Sequence, residues 1–182
     1  MNLVEYKNVA MKRLNKTIAD NPRESMKYSL MGLIEETGEI IAEIRKPLFK
    51  GNFHEKTLDI ENIRSELGDL MWYITLICKD YNINIEQFEN IERNERSVQL
   101  PKREELIRVA IDMGQATGEI VKECISIYDG NGDNAKLVNG ISDQYRNINE
   151  LAGLLDITIE QILDENVQKI NSRYNEKGDV SR

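Results

Sequence analysis

The sequence predicts an all-α fold. Three observations carry the prediction: amphipathic segments of helical spacing follow one another along the chain, strand alternation bounded by hairpin turns is absent, and the prolines fall at segment borders. Pro22, Pro47 and Pro101 all stand between helix-like segments rather than inside them, where each would cost about 3 kcal/mol.

Residues 4–18 read as a first amphipathic helix. Asn21 as N-cap, Pro22 at the first helical position and Glu24 as a capping-box acid then open a long helix that ends near Arg45. A loop with Pro47, Gly51 and His54 leads to a helix over residues 58–81. Asn84 with Gln87 opens a fourth that fades near Ser97, and residues 103–128, 134–155 and 159–174 supply three more. The last eight residues read as a frayed end. Asp129-Gly130-Asn131-Gly132-Asp133 begins like a calcium-binding loop, but Asn134 stands where the turn glycine belongs and Gly140 where a bidentate Glu belongs, so it reads as a turn.

The two halves of the chain echo each other. Thr37-Gly38-Glu39-Ile40 recurs as Thr117-Gly118-Glu119-Ile120, and Ile83, Ile85, Glu86 and Gln87 recur as Ile157, Ile159, Glu160 and Gln161. The matches keep chain order and fall at the same places in a long-helix, long-helix, short-helix unit. The expected organisation is a first repeat over residues 1–100 and a second over 101–182, packed as antiparallel helical hairpins around one core.

Composition narrows the partners. A formal charge of -8 repels phosphate backbones and anionic lipid heads, which argues against nucleic acid and membrane surfaces. The longest mostly apolar run, Leu67 to Cys78, carries Asp69 and is far shorter than the roughly 20 apolar residues that span a bilayer. Cys78 and Cys124 lie in apolar stretches without metal-ligand spacing, and the amino terminus lacks a basic then apolar leader. The expectation is a reduced, cytoplasmic protein.

Chemistry concentrates in two acidic clusters. Glu35, Glu36 and Glu39 share an arc of about 100° on one helix. A solvated acidic face would carry Lys or Arg one turn on, yet the positions four after these acids are Glu39, Ile40 and Glu43. Gly32, Gly38 and Ala42 on the same arc leave room for a close approach by another backbone or a ligand. Glu66 and Asp69 open a second helix that is apolar on all sides from Leu67 onward, and a carboxylate carried into such a helix must be paired, hydrogen-bonded or on a metal. Two helices that each supply inward carboxylates suit a hard divalent cation, Mg²⁺ or Mn²⁺, without help from cysteine or His54.

Glu35-Glu36-x-x-Glu39, followed after a loop by Glu66-x-x-Asp69 in the settings Gly-Leu-Ile-Glu-Glu-Thr-Gly-Glu-Ile and Glu-Leu-Gly-Asp-Leu-Met-Trp-Tyr, resembles the paired signature of the all-α nucleoside triphosphate pyrophosphohydrolases, the MazG-like superfamily. The resemblance covers residues 25–82. It implies helical hairpins, Mg²⁺ held by the acids, and conversion of a (d)NTP to (d)NMP and pyrophosphate in house-cleaning or control of the nucleotide pool. Glu36, Glu39, Glu66 and Asp69 are the implied ligands, with Glu35 as ligand or general base. Divalent cations would reverse the sign of the acidic patch toward phosphate oxygens and lower the pKa of a water.

The second half departs from that signature, with Gln115, Ala116 and Gly140 where Glu35, Glu36 and Glu66 stand, while Glu119 and Asp143 persist. A metal site is therefore expected in the first repeat alone. Asn166-x-x-Lys169-x-x-x-Arg173-Tyr174 is close to the family's carboxy-terminal helix, whereas the matching Glu92 to Arg96 has a different residue order. The expected division is similar to that of the tandem-repeat dimeric dUTPases: the first repeat holds metal while Lys169 and Arg173 reach across to phosphate and Asn166 positions them. The alternative is that these are exposed helix-end cations that complement the dipole.

Trp72 with Tyr73 could stack on a base or simply belong to the core, Lys46, Lys50 and His54 could touch phosphate, and Asn15 could contact the base. A homodimer is the expected assembly. A catalytically silent helical module for binding or oligomerisation is the alternative function. A phosphoribosyl-ATP pyrophosphohydrolase fits the tandem repeat and the Trp72-Tyr73 setting poorly.

Overall fold

The computed structural model describes residues 1–50, 57–91 and 100–173. Among them are α1 (Leu3–Ala10), α2 (Lys16–Ala19), α3 (Pro22–Leu48), α4 (Ile60–Asp80), α5 (Lys102–Tyr128), α6 (Asn134–Leu154) and α7 (Ile159–Arg173), with short 3₁₀ turns at Met11–Arg13 and Ile85–Phe88 and no strand. No helix among the described residues is long and apolar enough to cross a membrane.

Local chemistry explains most helix starts. Asn21 accepts from the backbone N–H groups of Arg23 and Glu24, so Pro22, which has no N–H to lose, begins α3 without an orphaned donor. Asp59 caps α4 and Asp133 caps α6 in the same way. Thr158 and Gln161 cap each other reciprocally ahead of α7, at 2.8 and 3.2 Å. The Asp129 to Asp133 stretch is the turn between α5 and α6, with Gly130 at φ 81°, a left-handed conformation that glycine adopts freely.

Three expectations for the elements need correction. The first segment is two helices rather than one over 4–18, because Leu14 is extended and Asn15 captures the Thr17 N–H at 2.9 Å to start α2 afresh. Pro47 lies inside α3, which runs to Leu48 rather than ending near Arg45; in a final turn, proline removes a single helical donor, and the Phe49 N–H still reaches the Arg45 carbonyl. Asn84 opens a 3₁₀ turn and no longer helix, since the Gln87 side chain donates to the Asn84 carbonyl and the box is not closed. Its expected end near Ser97 lies outside the described residues, as do His54, Glu92 to Arg96, Tyr174 and the carboxy-terminal eight.

α3 and α4 are antiparallel, with Ser25 Oγ donating to Asp80 across the open ends of the hairpin. α5 and α6 repeat that arrangement, tied by Arg108 to Glu150 at 3.0 Å. The two hairpins meet where α3 crosses α5 in the opposite direction, from the contact of Ile41 with Gly114 to the Arg103 guanidinium over Phe49. α7 then returns to the first hairpin and runs alongside α4, not α6. Leu33, Ile40, Met71, Met113, Ile120 and Ile148 are fully buried in the shared core, which supplies most of the stabilisation at about 25 cal/mol per Å² of apolar surface removed from water. α3 and α5 each have 27 residues, α4 and α6 each have 21. Asn82 and Asp156, both at positive φ (53° and 57°), each stand two residues beyond those shorter helices.

Candidate functional site

The acids on α3 divide by face. Glu36 is only 9% exposed and points toward α4, whereas Glu35 and Glu39 are exposed. Carboxylate oxygens of Glu36, Glu39 and Glu66 all lie within 4.8 Å of one another, a separation that one cation bound by all three would produce. Burial first, and then the nearby charges of Asp69, Glu66 and Glu39, push the Glu36 carboxyl up to about 8. Burial also raises Glu66, partly opposed by the Lys169 ammonium. An all-oxygen donor set of crowded carboxylates fits Mg²⁺ or Mn²⁺. Glu35 is not part of this group of three; it faces solvent one position before Glu36.

Asp69 has a different environment. Its Oδ1 accepts from Asn166 Nδ2 at 2.8 Å and its Oδ2 accepts from Lys169, which also donates to Ser65 Oγ at 2.9 Å. The requirement that a carboxylate in the apolar α4 be paired is met from a helix 100 positions later in the chain. Asn166, 2% exposed, is oriented by Tyr6, whose hydroxyl donates to Asn166 Oδ1 at 2.6 Å. With its oxygen so engaged, the amide must turn its N–H₂ toward Asp69. Gly68 makes this closeness possible, since a Cβ there would sit 2.8 Å from Asn166 Cβ.

Between these groups is a cleft of about 100 Å³, and Glu36, Asp69, Trp72, Lys169 and Arg173 all line it. Tyr28 and Tyr73 add an aromatic wall, their rings tilted at 60° with centroids 5.4 Å apart. Tyr73 lies over α3 because Gly32 has no side chain; a Cβ there would come 2.1 Å from the ring. Gly38, by contrast, meets nothing within 4 Å, so the approach expected at both glycines occurs at one. Trp72 is mostly buried and still reaches the cleft.

Two predicted contacts stand apart from the cleft. Asn15 caps α2 with its side chain, and Lys50 is exposed beyond the far end of α3; neither lines the cleft. Lys46 pairs with Glu43 at 2.5 Å. Ser65, Tyr6 and Tyr28 were not singled out from the sequence. Tyr28 had a readable signal, standing two helical turns before Glu36 on the face that includes Gly32; Tyr6 had none, because its role depends on where α7 docks.

The family model of the MazG nucleotide pyrophosphohydrolase domain matches residues 24–94. Those residues are a MazG domain. The gene 37 protein of Mycobacterium phage L5 is 30% identical over 60 residues, which make up 33% of this chain and 53% of the phage protein, so the chain matches about half the length of that curated relative. No solved structure matches the chain. The MazG domain contains the three clustered glutamates, Glu35, Asp69 and Trp72, while Asn166, Lys169 and Arg173 lie outside it and are brought to it by α7.

Proposed function

We propose that this protein is a Mg²⁺-dependent nucleotide pyrophosphohydrolase that converts a (d)NTP to its monophosphate and pyrophosphate, with a role in pool control or house-cleaning. The observation that carries the reading is that Glu36, whose carboxylate clusters with those of Glu39 and Glu66 on the MazG domain, lines one cleft together with the Lys169 ammonium from α7. A protein of charge -8 needs a cation to accept a triphosphate. Mg²⁺ bound by these acids would neutralise phosphate oxygens and supply a water of lowered pKa.

The chain's own groups have distinct parts in this reading. Glu36, Glu39 and Glu66 would hold the metal; Asp69 holds Lys169 in place and would be a further candidate ligand. Lys169 acts as a point charge and Arg173 at the rim as a bidentate one. Glu35, exposed beside Glu36, accepts the proton of the attacking water. Trp72 and Tyr73, which both line the cleft, offer ring surface to a base. The equal helix lengths and the crossing of α7 to α4 support two repeats, over 1–100 and 101–182, that build one composite site between them.

Product analysis by chromatography tests the reading. Purified protein is incubated with each NTP and dNTP and with dUTP, in Mg²⁺ or EDTA, beside Glu36→Gln and Asp69→Asn. Monophosphate and pyrophosphate that require Mg²⁺ and the intact acids are expected. Folded protein that turns over no nucleotide and fails to bind Mg²⁺ by calorimetry overturns the enzyme reading in favour of a silent helical module.

A further inference from the structure

Among the described residues nine large apolar side chains are exposed, and six of them, Met31, Ile34, Phe49, Ile111, Ile125 and Tyr128, stand on α3, on α5 or at the residue that ends α3. Single exposed apolar residues are ordinary; a concentration on two packed helices marks a contact surface. The positions have a pattern. Met31, Ile34, Gly38, Ile41 and Arg45 on α3, and Ile107, Ile111, Gly114, Gly118, Val121 and Ile125 on α5, are spaced alternately by three and four, the period of a stripe that stays on one side of a helix and seats another helix. Arg45 is the one charge in the two stripes.

These stripes face outward. The neighbouring ones, with buried Thr37 and Thr117, are those by which α3 and α5 pack on each other. Because the two helices run in opposite directions, their outer stripes lie side by side: Ile41 comes within 3.4 Å of where a Gly114 Cβ would sit, and Ile41, Leu48, Phe49, Ile107 and Ile111 line one groove of about 210 Å³. The six exposed side chains are between 45% and 72% accessible, which leaves on the order of 700 Å² in water at about 200 Å² for a fully exposed large residue. That exceeds the roughly 300–600 Å² of the largest apolar patch on a typical monomer and approaches the roughly 800 Å² per partner of a stable interface.

The rest of this chain has little to cover the face with. Residues 51–56, 92–99 and 174–182, which lie outside the described set, contain four large apolar residues, Phe53, Val98, Tyr174 and Val180, spread over three otherwise polar and charged segments. A second copy supplies what is needed, because the face repeats within itself: Met31, Gly38 and Ile41 correspond, 80 positions on, to Ile111, Gly118 and Val121. A surface made of two antiparallel copies of one stripe presents the same profile when turned over, which is the requirement of an isologous contact. The turned-over copy sets the glycines of one face against those of the other, where nothing lies within 4 Å of a Cβ at Gly38 or Gly118, so the large side chains on either side of the glycines make the contact.

We infer that the α3–α5 face is the contact surface of a homodimer, in which two copies of the chain bury their outer stripes against each other about a two-fold axis. Ile34 and Gly38 each stand about 200° round the helix from Glu36, so the paired face is on the side of α3 away from the acidic cleft.

Sedimentation equilibrium on the full chain, from about 1 to 100 μM and without nucleotide or metal, tests the inference. The mass of two chains is expected. Ile34→Glu with Ile111→Glu should raise the dissociation constant at least about 100-fold, and Met31→Lys with Ile125→Lys should do the same. All four residues are exposed in the single chain, so circular dichroism should show the helices of both double variants retained. Ile60→Glu, at an exposed apolar residue on α4 outside the face, should leave the dimer intact. The inference is overturned if the unaltered protein is a monomer at 100 μM, which would leave the face to a different protein, if the folded double variants keep the mass of the unaltered protein, or if Ile60→Glu dissociates it as they do. The readout is mass and not turnover, so its failure is separable from failure of the pyrophosphohydrolase reading.

Discussion

The side-chain oxygens of Thr37 and Thr117, 80 positions apart in the chain, lie 2.8 Å from each other in the buried seam where α3 crosses α5. Thr37 Oγ1 also donates to the Leu33 carbonyl at 2.8 Å, which uses its one hydrogen, so Thr117 must be the donor between the two hydroxyls. Gln144 Nε2 then donates to Thr117 at 3.1 Å. The result is a one-way chain from α6 through α5 to α3, at the point where the two copies of the Thr-Gly-Glu-Ile echo meet.

That direction predicts unequal costs. Thr117→Val removes the acceptor of Gln144, whose Oε1 is already buried without a partner, and should destabilise by about 2–3 kcal/mol, whereas Thr37→Val leaves that bond intact and should cost about 1–2 kcal/mol. The double variant should cost less than the sum, since the Thr–Thr bond is counted in both singles. Urea unfolding of the three proteins measures this; equal single effects or strict additivity would remove the directed chain.

Glu36 makes stability depend on pH and metal together. Its carboxyl is raised from 4.5 to about 8 by burial and then by the charges of Asp69, Glu66 and Glu39. A group raised on folding contributes stability fully below its unfolded value and loses it as pH rises through the folded value. In EDTA the melting temperature should therefore fall as pH rises from 4.5 to about 8, and Glu36→Gln should flatten that slope. Mg²⁺ should raise the melting temperature most at the alkaline end, where the three carboxylates are ionised. Scanning fluorimetry across pH with and without Mg²⁺ reads both effects, and a Mg²⁺ increment that is largest in acid would contradict the assignment.

Lys169 and Asn166 act on Asp69 differently, and kinetics can separate them. Lys169→Met removes a point charge from the cleft and should raise KM for a triphosphate about tenfold or more while the fold persists. Tyr6→Phe touches no substrate; it removes the hydroxyl that holds Asn166 Oδ1, costs about 1–2 kcal/mol of stability, and should lower turnover only through looser placement of Asp69. Unchanged kinetics in Lys169→Met would withdraw it from phosphate binding.

The helical class and the acidic cluster were legible because both are local: caps, proline placement and i, i+3 or i+4 spacing set them within one turn. The break at Leu14 was not, because an Asn15 side chain that starts a new turn competes with a helix on terms that periodicity does not record. The separation of Glu35 from Glu36, Glu39 and Glu66 was equally hidden, since all three acids on α3 fall on one arc and the position of α4 decides which of them turn inward. The Asp69 partners lay furthest from reach: the chain must cross from one hairpin to the other before Lys169 and Asn166 come near it.

Glycines of α3 and α4 give the sharpest contrast between room that is used and room that is free. At Gly68 an added methyl would meet Asn166 Cβ at 2.8 Å and Nδ2 at 3.0 Å, and neither can retreat while Tyr6 and Asp69 hold the amide. Gly68→Ala should then push α7 from α4 and cost about 1–3 kcal/mol as overpacking, and it should raise KM by displacing Lys169. Gly38 meets nothing within 4 Å on an exposed stretch of the same hairpin, so Gly38→Ala gains helix propensity without a clash and should stabilise by about 1 kcal/mol. Chemical denaturation and steady-state kinetics on the pair decide the matter. If Gly68→Ala is tolerated with unchanged KM, α7 does not set the cleft by its close packing on α4; if Gly38→Ala destabilises, that open face is covered in solution by something with which the methyl collides.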